Sequence, residues 1–371
     1  MSDAGNQSSE LNSAAGWQRL ANRLAAGESL SRADSAWFAE SVYSGEAPAD
    51  AVASVLVRLH EKGESADEIA GILEVLLART TPVTIAGEHI DIVGTGGDGH
   101  HSVNISTMAA IVCAAAGVPV VKHGNRAATS MTGSADVLEA LGIAIDLPAA
   151  AVEECVRNAG IGFCFAPVFH SSMRHAAAVR KSLPHPTVFN LIGPLANPSQ
   201  PTAMLVGCAD HMRAPLMAQV LAERGAYALV VRGLDGLDEV STAAATQVWA
   251  PSGITYEVHA GDFDIAPAQP GALAGGDANF NAEVLRQVLA PSASTAAMPG
   301  VQVDAIRDCV VMNAAMALVA VERAGDTRED CNEALARNIG RARSVLADGG
   351  ASAALDRWVH ESRRCQTIGL T

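Results

Sequence analysis

Two glycine-rich segments of this chain could do chemistry on an anion. Gly94-Thr95-Gly96-Gly97-Asp98-Gly99 runs on to Asn104-Ile105-Ser106-Thr107, and Lys122-His123-Gly124-Asn125-Arg126 runs on to Thr129-Ser130. Residues without a Cβ let backbone N–H groups approach an anion closely. Lys122 offers a phosphate a point charge, and Arg126 a planar fork. Thr129, Ser130 and Ser134 add hydroxyls, and the helix expected after Ser106 adds the partial positive charge of its N-terminus. The spacing is neither G-x-G-x-x-G nor G-x-x-x-x-G-K-[ST], which excludes a dinucleotide fingerprint and a P-loop. Pyrophosphate is the ligand that the combination suits. A structural tight turn and an exposed strand-end lysine are the plainer alternatives.

Two further features extend this reading. Asp238-Glu239 follow a Gly-containing turn, and adjacent carboxylates on a loop suit Mg²⁺, which takes one or two carboxylates plus substrate phosphates. A solvated acidic turn is the alternative. Acids are also unevenly spread: there is none from Gly99 to Ala135 or from Cys155 to Ala209, although the whole chain has 40. A cleft for anions would have this distribution, because carboxylates repel such ligands; so would a charge-poor buried core. Arg180 lies in the second window, and its guanidinium suits a carboxylate held bidentately, unless it is a surface helix arginine. His100-His101 read as loop residues rather than a chelating pair.

The elements that must position these residues are of two kinds. Residues from about 17 to 80 have helical periodicity only, as in Trp17–Leu24, Ala49–His60 and Ala66–Leu77, with a helix start at Ser65-Ala66-Asp67-Glu68. From His89 onward strands and helices alternate. Apolar runs at Ile90–Val93, Val118–Val121, Ile161–Phe165, Ala203–Cys208, Ala226–Val231 and Thr246–Trp249 read as strands. Ser106–Ala116, Ser134–Leu141, Pro148–Asn158 and His211–Arg224, the last capped by Asp210, read as helices. Ala278–Leu289, Asp304–Arg323, Thr327–Ala347 and Ala353–His360 complete a helical C-terminal third. The expected class is α/β: a mostly parallel sheet flanked by helices, with a small all-helical domain. Residues 1–16 read as a disordered lead-in, 17–87 as the helical domain and 88–371 as the α/β domain that carries the sites.

A formal net charge of −15 argues against a general nucleic-acid or acidic-membrane surface. The apolar stretch Ala109–Val121 contains Gly117 and Pro119 and is too short to span a bilayer, and the N-terminus lacks a signal pattern. The seven cysteines have no metal-ligand spacing and read as small buried hydrophobes in a reducing cytoplasm.

The motifs together closely resemble the signatures of the anthranilate phosphoribosyltransferase family. They are Gly94–Gly99, Asn104–Thr107, Lys122–Arg126, Gly133–Glu139, Phe165-Ala166-Pro167 with His170, Phe189–Leu195 with Asn197-Pro198, Gly236–Glu239 and Asn313–Ala315. The motifs are co-linear, and the match runs from about residue 17 to 360. The resemblance implies a nucleoside phosphorylase/phosphoribosyltransferase-like fold, a helical domain joined by helices from about 169–199, and a cytoplasmic homodimer. It implies that Gly94, Gly97, Asp98, Ser102, Asn104, Ser106, Thr107 and Lys122 hold phosphoribosyl pyrophosphate, helped by Ser130 and Ser134. Ile105, Gly124, Arg126 and Thr129 belong to the same substrate-binding set. Ser106, Asp238 and Glu239 would coordinate Mg²⁺, two ions in all. Asn125 and Arg180 would recognise anthranilate, with His123, Pro167 and His170 along its path. The implied reaction transfers the phosphoribosyl group to the amine of anthranilate by positioning and electrostatics, with Lys122 and Arg180 the most important residues and no general base. Ser102 and Thr129 are hydroxyl-for-hydroxyl departures, Arg232 stands where a His is expected, and Leu183–Thr187 lacks the usual Gly and Arg. A pyrimidine nucleoside phosphorylase and a non-enzymatic nucleic-acid binder of the same fold are the rivals.

Overall fold

The computed structural model describes residues 14–127, 131–291 and 298–369. Seven strands form one sheet in the order β3-β2-β1-β4-β5-β6-β7. They are β1 (Ile90–Gly94), β2 (Val120–Gly124), β3 (Ile161–Phe165), β4 (Ala203–Gly207), β5 (Tyr227–Gly233), β6 (Thr246–Trp249) and β7 (Thr255–Val258). The first five are parallel; β6 and β7 are added antiparallel. Ile90, Val120, Val121, Ile161, Val206, Leu229 and Val230 are all fully buried. Such runs need cover on both faces, and the crossover helices supply it. The helix Val303–Glu322 is buried almost all round from Cys309 to Ala320, and packs on the helices Ile105–Ala115 and Arg328–Ala347.

The chain moves from β1 outward to β2 and β3, then returns to lay β4 against the other edge of β1. The carboxyl ends of β1 and β4 therefore border a topological switch point, where open parallel sheets bind ligands. Gly94 and Gly207 are register partners there.

The chain divides into two compact units. One holds residues up to Thr81 together with Phe169–Ala196; the other holds Pro82–Val168 and the chain from Asn197 onward. The first unit is helical: Ala14–Ala25, Arg32–Ser44, Ala49–Lys62, Ala66–Ala78, Arg174–Ser182 and Val188–Leu195. The helix start read at Ser65 is a capping box: the Ser65 hydroxyl accepts from the Glu68 amide at 3.3 Å, and Glu68 accepts from the Ser65 amide at 2.7 Å. Helix Ala14–Ala25 begins inside the stretch expected as a lead-in; residues 1–13 lie outside the described residues.

Some element boundaries are corrected. The helix expected from His211 begins at Ala214, because Asp210 closes a preceding turn by accepting from the Met212 amide. Pro148 is an N-cap rather than a first-turn residue, and the last helix is longer than expected, Gly350–Ile368. All seven cysteines are free and buried. Among the described residues no helix is long and apolar enough to cross a membrane.

Candidate functional site

At the end of β1 the chain turns through Gly96 and Gly97, whose φ values of 66° and 80° lie in the left-handed region. Only glycine adopts two such conformations in succession at little cost. The Asp238 loop lies over the switch point. Asp238 Oδ2 accepts from the Gly96 amide at 2.7 Å, and Glu239 Oε1 accepts from the Ser106 amide at 3.0 Å. A Cβ at Gly207 would overlap the Asp238 carbonyl, and one at Gly94 would overlap its carboxylate. Two strand-end glycines are thus required for the acidic loop to come down on the glycine loop.

Electrostatically this is a carboxylate cluster. Burial, then the charges of Glu239 and Asp98, hold Asp238 well above the usual carboxylate range. Burial pushes Glu239 up to about 7, opposed by Lys122 and by the Ser106 amide. Asp98 Oδ1 accepts from the His100 amide at 3.1 Å, while its buried Oδ2 has no hydrogen-bond partner. Three acids crowded together, one oxygen of them orphaned, fit a divalent cation that shares its coordination with a substrate. Among the described residues no group of three or more His, Cys, Asp or Glu side chains is placed to hold a metal ion without other ligands. A cation bound here would therefore take phosphate oxygens and water among its ligands.

Lys122 is placed differently from a strand-end surface lysine. It is 1% exposed, and its ammonium donates to the Ile92 carbonyl at 2.5 Å and to Ser106 Oγ at 3.3 Å. Burial pushes its pKa down; Asp91 and Glu239 oppose that shift. Asp91 accepts from the His123 amide at 3.2 Å and from Asn197 Nδ2 at 2.8 Å, and burial raises its pKa to about 6. The sequence window without acids is therefore not acid-free in space, because Asp91, Asp98, Asp238 and Glu239 converge on it from outside.

Other expected residues are already engaged. Arg126 Nη1 donates to both Asp136 at 3.0 Å and Glu139 at 2.5 Å, and the guanidinium lies over Phe165. Asn104 donates to the Thr132 carbonyl at 3.1 Å and accepts from Asn281 Nδ2 at 3.0 Å. Ser134 Oγ donates to the Asn125 carbonyl at 3.3 Å, and Asn125 Oδ1 accepts from the Arg126 amide at 2.8 Å. A Cβ at Gly124 would overlap Ser134 Oγ. Ser102 pairs with Ala274 in an isolated bridge. Ile105 and Thr107 are buried in the first turn of their helix, and Thr107 Oγ1 has no hydrogen-bond partner. Thr129 and Ser130 lie outside the described residues.

Residues that the sequence did not single out for a role support the loops. Asn313, on the central helix, accepts from the Val240 amide at 2.8 Å and donates to its carbonyl at 3.0 Å. It grips the residue next to Glu239 as a neighbouring strand would. Asn281 does similar work, accepting from the Gly276 amide at 2.8 Å while it holds Asn104. The available signal was polarity at a helical core position: a buried Asn must have its bonds satisfied.

In the helical unit, Arg180 lies over the Phe189 ring at 5.7 Å and makes no ion pair among the described residues. Burial lowers its pKa. His170 is buried, with Nδ1 2.9 Å from Thr80 Oγ1, and burial lowers its pKa from 6.5 to about 4. It is neutral near pH 7. The unfolded chain takes up this proton near pH 6.5 and the folded chain only near pH 4. The contribution to stability is therefore present above pH 6.5 and is lost as the pH falls toward 4, about 3 kcal/mol in all. Urea unfolding across this range is expected to show that loss in the wild type but not in His170→Gln; parallel profiles would overturn the assignment.

Comparison with known proteins agrees with this architecture. A model described as "Glycosyl transferase family, helical bundle domain" matches residues 18–80, and one described as "Glycosyl transferase family, a/b domain" matches residues 86–352. An anthranilate phosphoribosyltransferase of Saccharopolyspora erythraea is 48% identical over 352 residues, covering 94% of this chain and 97% of that protein. One of Nocardioides is 45% identical, covering 94% and 99%. Among solved structures, anthranilate phosphoribosyltransferase from Thermus thermophilus superimposes with a TM-score of 0.83 at 35% identity, over 93% of this chain and 99% of that one. The Saccharomyces cerevisiae enzyme in complex with phosphoribosyl pyrophosphate and Mg gives 0.83 at 26% identity, over 95% and 99%. With a glycine loop and an acidic loop meeting at the switch point, and this similarity running through both units, the chain belongs to the anthranilate phosphoribosyltransferase family.

Proposed function

We propose that the chain transfers the 5-phosphoribosyl group of phosphoribosyl pyrophosphate to the amine of anthranilate, giving N-(5-phosphoribosyl)anthranilate and pyrophosphate in tryptophan biosynthesis. The observation that carries this reading is the convergence of Asp238, Glu239 and the orphaned Asp98 carboxylate on the Gly96-Gly97 turn, a place for a cation-bound pyrophosphate. Asp238, Glu239 and the Ser106 hydroxyl are the groups that would hold Mg²⁺, two ions in our reading. When bound, Mg²⁺ supplies positive charge against the pyrophosphate oxygens.

The chain's own residues do the rest. The glycine loop and the start of helix Ile105–Ala115 hold the leaving group, and the buried ammonium of Lys122 keeps positive charge beneath it. The amine lone pair forms the new bond to C1, the electrons of the C1–O bond leave with pyrophosphate, and the amine proton passes to solvent. An aromatic amine is uncharged at neutral pH and needs no strong base. His170, neutral and held against Thr80, lines the path without taking that role. Arg180 holds the anthranilate carboxylate, and Asn125 orients the ring so that the nitrogen faces C1. Functional assembly as a homodimer in the cytoplasm is part of the same reading, with no nucleic acid or membrane partner.

The test is anthranilate fluorescence. It is expected to fall only with phosphoribosyl pyrophosphate and Mg²⁺ both present; folded protein that leaves it unchanged would count against the reading. In the same assay Arg180→Gln is expected to raise the KM for anthranilate about 50-fold while changing that for the donor less than threefold. Equal effects on the two substrates would remove Arg180 from the acceptor site.

A further inference from the structure

Tyr43 lies near the end of helix Arg32–Ser44 and is 1% exposed. Its hydroxyl is buried and has no hydrogen-bond partner. Its ring centroid lies 6.0 Å from that of Phe189, on helix Val188–Leu195. The guanidinium of Arg180, on helix Arg174–Ser182, lies over the same Phe189 ring at 5.7 Å and has no ion-pair partner among the described residues. Three helices of one unit thus gather a hydroxyl without an acceptor and a guanidinium without an anion around a single aromatic ring.

A buried hydroxyl is stable only when bonded, and Phe would fill the same space without that penalty. Arg180 cannot satisfy Tyr43 as an acceptor, since a guanidinium has donors only. What completes both groups is one ligand with two acceptor oxygens, and a carboxylate has that geometry. Burial raises the Tyr43 pKa further above the physiological range, so the group stays protonated and can only offer its hydrogen to an anion.

We propose that Tyr43 is a second donor to the acceptor's carboxylate, beside Arg180. The proposal rests on the reading of Arg180 given above, and it makes Tyr43 a specificity residue that favours acceptors bearing a carboxylate.

Tyr43→Phe removes the oxygen and keeps the ring. The variant is expected to raise the KM for anthranilate about tenfold, with kcat and the KM for phosphoribosyl pyrophosphate within twofold of wild type and a Tm no lower than wild type. In an Arg180→Gln background the same change is expected to cost less than threefold, because the two donors share one anion. An unchanged anthranilate KM in Tyr43→Phe, while Arg180→Gln raises it, would overturn the proposal and leave Arg180 in place. A lowered Tm with both KM values raised alike would assign Tyr43 to packing. An Arg180→Gln enzyme with an unaltered anthranilate KM would overturn the Arg180 reading, and this proposal with it.

Discussion

Lys122→Met is expected to lower kcat/KM for phosphoribosyl pyrophosphate by about a thousandfold, the scale of losing a preorganised charge aimed at a leaving group. It is also expected to lower stability by about 3–5 kcal/mol, since removing one partner of a buried charge set leaves the others uncompensated. The groups left behind are Asp91 and Glu239, both of which oppose the downward shift of the Lys122 pKa. Their own values, about 6 and about 7, are already raised by burial. Without the ammonium they rise further, and protonation then relieves the repulsion. The stability difference between variant and wild type is therefore largest at pH 8 and shrinks as the pH falls through 6. Activity per folded molecule, with the folded fraction followed by circular dichroism, separates the two effects. A folded variant that keeps kcat/KM within tenfold of wild type would take Lys122 out of the leaving-group site.

Gly207→Ala tests the geometry rather than the charge. The added methyl meets the backbone of Asp238, which cannot swing aside as a flexible side chain can. The loop must shift as a whole, and a displacement near 1 Å at a positioned group costs about a hundredfold in rate. We expect at least that loss in kcat, a raised Mg²⁺ requirement, and a stability loss of about 2–3 kcal/mol from overpacking. Gly340→Ala is the control. It lies in the helix Arg328–Ala347 with open space around its Cβ position, and the change is expected to stabilise by about 0.5–1 kcal/mol with full activity. If Gly207→Ala behaved like Gly340→Ala, the acidic loop would not depend on close approach to β4.

The parallel sheet was legible because fully buried strands must be apolar throughout, and runs such as Ile161–Phe165 admit no other reading when flanked by helices. What escaped was whatever lacked that contrast. Strand β7 is short, alternates exposed and buried residues and lies at the sheet edge. Helix Arg32–Ser44 buries Ser35, Phe38, Ala39, Ser41, Val42 and Tyr43, a set too broad and too polar to mark one face. Its start was marked all the same, by Ser31 accepting from the Asp34 amide.

The site loops could be read because glycine clusters and adjacent acids are rare enough to be noticed. Their surroundings could not. Arg126 is near its acidic partners in sequence, but nothing in the pattern says that Asp136 and Glu139 face it across the turn. The carboxylate of Asp91 is hidden within an apolar run, where an acid is itself the clue that a buried counter-charge exists.

The grip of Asn313 on Val240 has a consequence for how the site and the fold relate. The acidic loop is tied to a helix whose residues from Cys309 to Ala320 are all buried. Local opening of that loop must break bonds in the interior, so it belongs to the same cooperative unit as the core. Damage to the core helix, far from any phosphate, would then reach an assay as weakened donor use well before the protein unfolded.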